Sequence, residues 1–149
     1  MITFITKAFA DLSTQELYAL LRLRSEVFVL EQNCPYLDMD GNDQACLHVL
    51  GYDGEQLAAY ARLVPSGVSY DSPAIGRVVT AGAFRKHGYG KALMTYCIRE
   101  TQQRFKTDTI TISAQQYLEA FYRELGFVTK SDMYLEDAIP HIKMMYHTS

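Results

Sequence analysis

The segment Arg85-Lys86-His87-Gly88-Tyr89-Gly90-Lys91-Ala92 concentrates groups that hold an anion. It follows a β-rich run, Ala74 to Thr80, and opens an amphipathic run, Gly88 to Phe105, so it lies where a strand turns into a helix. Unpaired backbone N–H groups and the positive end of a helix dipole converge at such a joint. Gly88 and Gly90 lack Cβ atoms, which lets a diphosphate approach the main chain, while Arg85, Lys86 and Lys91 add charge-assisted contacts. Spacing separates the phosphate motifs that compete here. A Walker loop needs G-x-x-x-x-G-K followed by Ser or Thr, but Ala92 follows Lys91, and Arg85 stands where the first glycine should be. The dinucleotide fingerprint needs a third glycine where Leu93 stands. What remains is R-x-x-G-x-G after a strand and before a long helix, a pattern that a plain basic turn capping a helix also satisfies.

These groups need a scaffold, and hydrophobic periodicity supplies one. Ile2 to Thr6 reads as a strand, and Ser13 with Glu16 forms a capping box ahead of a helix running to about Leu30, with Leu17, Leu20, Leu21, Arg24, Val27 and Phe28 on one stripe. Glu31 to Asn42 is a long loop carrying Pro35, Gly41, Asp38 and Asp40. Leu47 to Tyr52 and Leu57 to Val64 pair as a hairpin across Asp53 and Gly54. The helix from Gly88 to Phe105 turns Leu93, Met94, Cys97, Ile98, Thr101 and Phe105 inward. Thr109 to Ala114 is a buried strand, Gln116 to Leu125 a short helix stopped by Gly126, and Val128 to Leu135 and Ile142 to Tyr146 are closing strands. The order predicts an α/β (α+β) domain, a mixed sheet flanked by helices, spanning 1–149 without repeat or linker.

Composition narrows the function classes. The chain has 149 residues, 48% hydrophobic and 21% charged, with a formal net charge of -3, so no global field draws it to nucleic acid or an anionic membrane. Neither a signal peptide nor an apolar stretch of about 20 residues is present, and the expected location is cytoplasmic. Cys34, Cys46 and Cys97 form an odd set without a C-x-x-C pair and read as reduced thiols. Asp38 to Asp43 fails the calcium-loop spacing, and His48, His87, His141 and His147 form no H-E-x-x-H pair, so no metal is expected.

The joint at residues 85 to 92 resembles motif A of the GNAT superfamily of acyl-CoA-dependent N-acyltransferases. Thr109 to Ala114, Gln116 and Ala120-Phe121-Tyr122-Arg123-Glu124-Leu125-Gly126-Phe127 resemble the fifth strand and following helix of that superfamily. The segments Arg24 to Gln32, Cys34-Pro35-Tyr36, Asp38 to Asp43 and Tyr134 to Ile142 are similar to ElaA-type members, although Ala138 stands where many relatives have Gly.

The resemblance implies a mostly antiparallel twisted sheet whose splayed central strands form an acyl-CoA cleft. It implies that residues 85 to 92, including His87 and Tyr89, hold the diphosphate of acetyl-CoA. Val78, Val79 and Thr80 would pair with the pantetheine arm, with Gln116 and Tyr122 also at the cofactor. Tyr122 would give a proton to the departing thiolate, although its position also suits a core aromatic. An attacking amine must lose a proton, and the candidates to take it, directly or through water, are Glu31, His48, Glu136 and His141. The expected acceptor is a primary amine of a small molecule or peptide, gathered by Glu31, Asp38, Asp40, Asp43, Glu136 and Asp137, although these carboxylates also read as a solvated acidic surface. The rival from another class is a catalytically silent acyl-CoA-binding sensor. An exposed sheet edge is available to pair two copies as a homodimer.

Overall fold

The first helix begins at the expected capping box: Ser13 Oγ accepts from the Glu16 N–H at 3.0 Å, and Glu16 Oε1 accepts from the Ser13 N–H at 2.8 Å. The computed structural model describes residues 1–148. Its elements are β1 (Ile2–Ala8), α1 (Thr14–Arg24), β2 (Leu47–Asp53), β3 (Gln56–Val64), β4 (Ala74–Thr80), α2 (Tyr89–Phe105), β5 (Thr109–Gln115), α3 (Glu119–Glu124), β6 (Phe127–Thr129), β7 (Tyr134–Glu136) and β8 (Ile139–His147). The strands form one eight-stranded sheet in the order β1-β2-β3-β4-β5-β8-β6, with β7 pairing β8. All neighbours are antiparallel except β4 and β5. The mixed, mostly antiparallel architecture is therefore as expected.

Alternation along the strands feeds two cores on opposite faces. Val49, Ala59, Ala61 and Leu63 pack with Leu93, Met94, Cys97 and Ile98 of α2, whereas Leu50 and Tyr60 pack with Leu20 and Leu23 of α1 and with Val27. The sheet is thus sandwiched between α1 on one side and α2 and α3 on the other. Among the described residues, no helix is long and apolar enough to cross a membrane.

The last strand, expected from Ile142, already begins at Ile139, and three other elements differ in kind from the sequence reading. The first helix does not stay α to Leu30: Ser25–Glu31 winds as a wider π turn, with Gln32 N–H donating to Val27 O and Cys34 N–H to Val29 O, five residues back. A stripe at spacings of three and four does not register that change of pitch. Gln116 to Leu125 divides into a single 3-10 turn, Gln116–Leu118, and α3. The strand expected from Val128 to Leu135 divides into β6 and β7. Between them Ser131 Oγ accepts from the Lys143 N–H at 2.9 Å, so a side chain replaces a ladder partner and breaks the pairing.

Candidate functional site

Only one register position, Ala74 with Thr111, joins β4 to β5, supported by Thr111 N–H donating to Pro73 O at 2.9 Å. Beyond it the two strands part. The register of β3 with β4 also shifts, because Tyr60 faces Val79 while Arg62 faces Gly76, leaving Arg77 and Val78 against Ala61. This is a β-bulge, and it holds Arg77 in the left-handed region at φ 50°. Bulge and parting together open a cleft whose walls include Ile75 to Val78 of β4 and Ile112 to Gln115 of β5. Backbone groups that a regular sheet would pair are thereby exposed to an occupant.

The strained Arg77 is held from outside the sheet. Its Nε donates to Asp38 Oδ1 at 2.9 Å and its Nη2 to Asp38 O at 2.7 Å. Asp38 also accepts from Arg24 Nε at 2.7 Å, Asp43 accepts from Arg24 and Arg62 at 2.8 and 2.9 Å, and Asp40 accepts from Arg62 at 2.7 Å. Three arginines thus meet three aspartates, and Arg24, Arg62 and Asp43 are buried. Burial alone would push the Asp43 carboxyl up, but hydrogen bonds from Arg24 and Arg62 outweigh it and hold the group below the usual carboxylate range. Asp40 is likewise lowered, chiefly by Arg62, against the opposing effect of burial. The sequence reading that Asp38, Asp40 and Asp43 gather a cationic amine is therefore corrected: their charge is matched internally. A single sequence shows carboxylates in a loop but not the arginines that fold over them.

The candidate bases separate in space. His48 is fully buried, away from the cleft, with Nδ1 2.6 Å from the Tyr60 hydroxyl and Nε2 2.9 Å from Asp43 O. Burial pushes its pKa down, and both ring nitrogens are occupied, so it is a structural histidine and not an accessible base. Glu31 is exposed and ion-paired with Arg85 of the glycine-rich turn. His141 lines the cleft and is 7% exposed. Its Nδ1 lies 2.7 Å from Ile139 O, so Nδ1 is the protonated nitrogen, while Nε2 faces Glu136 Oε2 at 3.5 Å. Glu136 also accepts from Ser113 Oγ at 2.9 Å, and Ser113 lies 2.5 Å from the Tyr134 hydroxyl. Ser113 and Tyr134 were not singled out from the sequence. Ser113 was the more legible of the two, as a polar residue between the buried Ile112 and Ala114 of β5.

Tyr122 of α3 lines the same cleft. Its ring packs edge-on to Phe121 and Phe127, and burial pushes its phenol well above the ordinary range, so it keeps its proton. Gln115, rather than the exposed Gln116, lines the cleft. The turn between β7 and β8 places Asp137 and Ala138 at φ 51° and 64°. Glycine adopts that geometry freely, whereas alanine costs about 1–2 kcal/mol. Cys34 Sγ donates to Asp137 O at 3.2 Å, linking this turn to the loop carrying Asp38. Burial raises the thiols of Cys46 and Cys97, which disfavours a covalent acyl-cysteine route through either.

The glycine-rich turn follows Thr80 of β4. Gly88, the residue before α2, has φ 75°, and no side chain caps the helix. The first N–H groups of a 17-residue helix are thus left without a side-chain partner, beside the exposed Arg85, Lys86, His87 and Lys91. Gly90 and Ala92 lie in its first turn, and Tyr89 donates from its hydroxyl to Asp53. Val79 and Thr80 remain paired with β3, while Val78 lines the cleft.

A family model described as "Acetyltransferase (GNAT) domain" matches residues 10–148. Protein ElaA of Escherichia coli is 40% identical over 137 residues, covering 91% of this chain and 90% of that protein. The crystal structure of E. coli ElaA superposes with a TM-score of 0.92 at 38% identity, covering 99% of this chain and all of that one (100%). An acyl-CoA N-acyltransferase from Pseudomonas aeruginosa superposes with a TM-score of 0.92 at 40% identity, covering 98% of this chain and 99% of that one.

Proposed function

The chain belongs to the GNAT acetyltransferase family, and from that premise we propose that it transfers acetyl directly from acetyl-CoA to a primary amine of a small molecule or peptide. The observation that carries this reading is that Tyr122 and His141 line one cleft between parted strands that lead to an uncapped, basic helix start. Residues 85 to 92 hold the diphosphate, with N–H groups of α2 and the charges of Arg85, Lys86 and Lys91. Val78, Val79 and Thr80 lie along the pantetheine arm, with Gln116 at the rim of the cofactor site.

In the reaction the neutral amine attacks the thioester carbonyl carbon. A C–N bond forms, the C–S bond breaks, and the proton shed by nitrogen passes to His141 Nε2, where Glu136 stabilises the resulting imidazolium. The thiolate takes the phenolic proton of Tyr122, which is replenished from solvent. Glu31 acts at the turn through Arg85, and His48 supports the fold. Alignment of amine and thioester in one cleft supplies a further share of the acceleration.

The test is release of free thiol from acetyl-CoA with an amine panel. Amine-dependent release is the expected result; saturable binding of acetyl-CoA without it would make the chain a sensor. Gly88→Ala is expected to weaken acetyl-CoA about tenfold in a binding titration, because an L residue at φ 75° costs about 1–2 kcal/mol and turns the N–H groups away.

A further inference from the structure

Beside Asp38 and Arg77 the cleft carries an apolar stretch. Phe28, Val29, Tyr36 and Leu37 line the cleft from the π turn and the following loop, and Ile139 lines it from β8. Leu37 is 79% exposed and Tyr36 50%, which places large apolar groups in water at the mouth of a polar site. Most charges around them are already paired; Asp137, exposed at the turn before β8, lines the cleft and is in no ion pair among the described residues. Asp38 is held by Arg24 and Arg77, Asp40 and Asp43 by arginines, and Glu31 by Arg85. Glu136 is the lining carboxylate that faces His141, and no Lys or Arg among the described residues is ion-paired with it. Arg77 is the cation beside this stretch, and Asp38 occupies it through two donors.

We infer that the acceptor is a monoamine carried on an apolar alkyl or aryl body, with its nitrogen at Glu136 and His141 and its body against Phe28, Val29, Tyr36, Leu37 and Ile139. This rests on the transferase reading and names its substrate class. The charge distribution selects against the alternatives. A free amino acid brings a carboxylate beside its nitrogen, and the cleft has no uncommitted cation to receive it, so that charge is desolvated without a partner. A polyamine lays further ammonium groups along Phe28, Val29, Tyr36 and Leu37, where desolvating them is costly, and Asp137, being exposed, offers only a weak, solvent-screened pair. An apolar body covers Tyr36 and Leu37 and gains with length, by about fourfold for each fully buried methylene.

The experiment has two readouts on the same protein: kcat/KM from thiol release with acetyl-CoA, and equilibrium binding of each amine to the protein saturated with CoA. The amines are methylamine, propylamine, hexylamine, phenethylamine, phenylalanine and spermidine. Binding and kcat/KM are expected to rise two- to fourfold per methylene from methylamine to hexylamine. Phenethylamine is expected to exceed phenylalanine and spermidine by at least about tenfold. Leu37→Ser, at an exposed position that leaves the core intact, is expected to flatten the chain-length slope from propylamine to hexylamine. Glu136→Gln is expected to weaken phenethylamine without altering affinity for CoA. A flat series, preference for spermidine or phenylalanine, or a length dependence that follows the acyl chain of the thioester instead of the amine would overturn the inference and leave acetyl transfer standing. Selective phenethylamine binding without thiol release would support the acceptor site and overturn the catalytic reading.

Discussion

Tyr122→Phe is expected to lower kcat by about 10²-fold or more while leaving the dissociation constant of acetyl-CoA within about twofold of wild type. The substitution removes one oxygen and keeps the ring, whose packing against Phe121 and Phe127 holds α3 on β6, so the fold is preserved. Burial keeps the phenol protonated, which gives it a proton to share at the moment the C–S bond breaks. Without it the thiolate leaves as a bare anion in a partly desolvated cleft. Single-turnover rates at saturating amine check this directly. An unchanged chemical step would remove Tyr122 from the mechanism and return it to the role of a core aromatic.

Asp43→Asn is expected to destabilise the protein by about 3–5 kcal/mol, because it leaves the buried guanidinium groups of Arg24 and Arg62 short of a counter-charge. That is a large part of the roughly 5–15 kcal/mol that keeps a typical domain folded. The midpoint of thermal unfolding should fall by roughly 6 to 20 °C. The pH dependence has a definite sign. The folded-state pKa of Asp43 is lowered, so its contribution is fully present above the unfolded value near about 4 and is lost as pH falls through the folded value. Chemical denaturation should therefore show a constant gap between wild type and variant from pH 5 to 8, narrowing in stronger acid. A gap that persisted unchanged at pH 3 would show that Asp43 acts by shape and not by charge.

Local chemistry was legible in the sequence wherever it sits within one turn or one strand. The Ser13 capping box, the hairpin at Gly54, the inward face of α2 and the glycine-bearing joint all depend on neighbours within a few residues, and each is where its pattern placed it, except that the hairpin turns at Gly54-Glu55, one residue later than expected. Relations across the sheet were not legible. Arg24, Arg62 and Arg77 lie on three different elements, and only folding brings them onto the acidic loop. His48, expected in a strand, and His141, expected in the joint before the last strand, were equal candidates from sequence; one is sealed between Tyr60 and Asp43, and the other lines the cleft beside Glu136. The bulge at Arg77 left no glycine at the residue with positive φ, so nothing in the sequence marked it.

The solitary rung between β4 and β5 also divides the molecule mechanically. Strands β1 to β4 form one ribbon and β5 to β8 another, and tension applied across them concentrates on the contact of Ala74 with Thr111 and on α2, which packs against both. A molecule wedged in that gap, bonded to one ribbon and packed against the other, acts as mortar: cargo stiffens its own container.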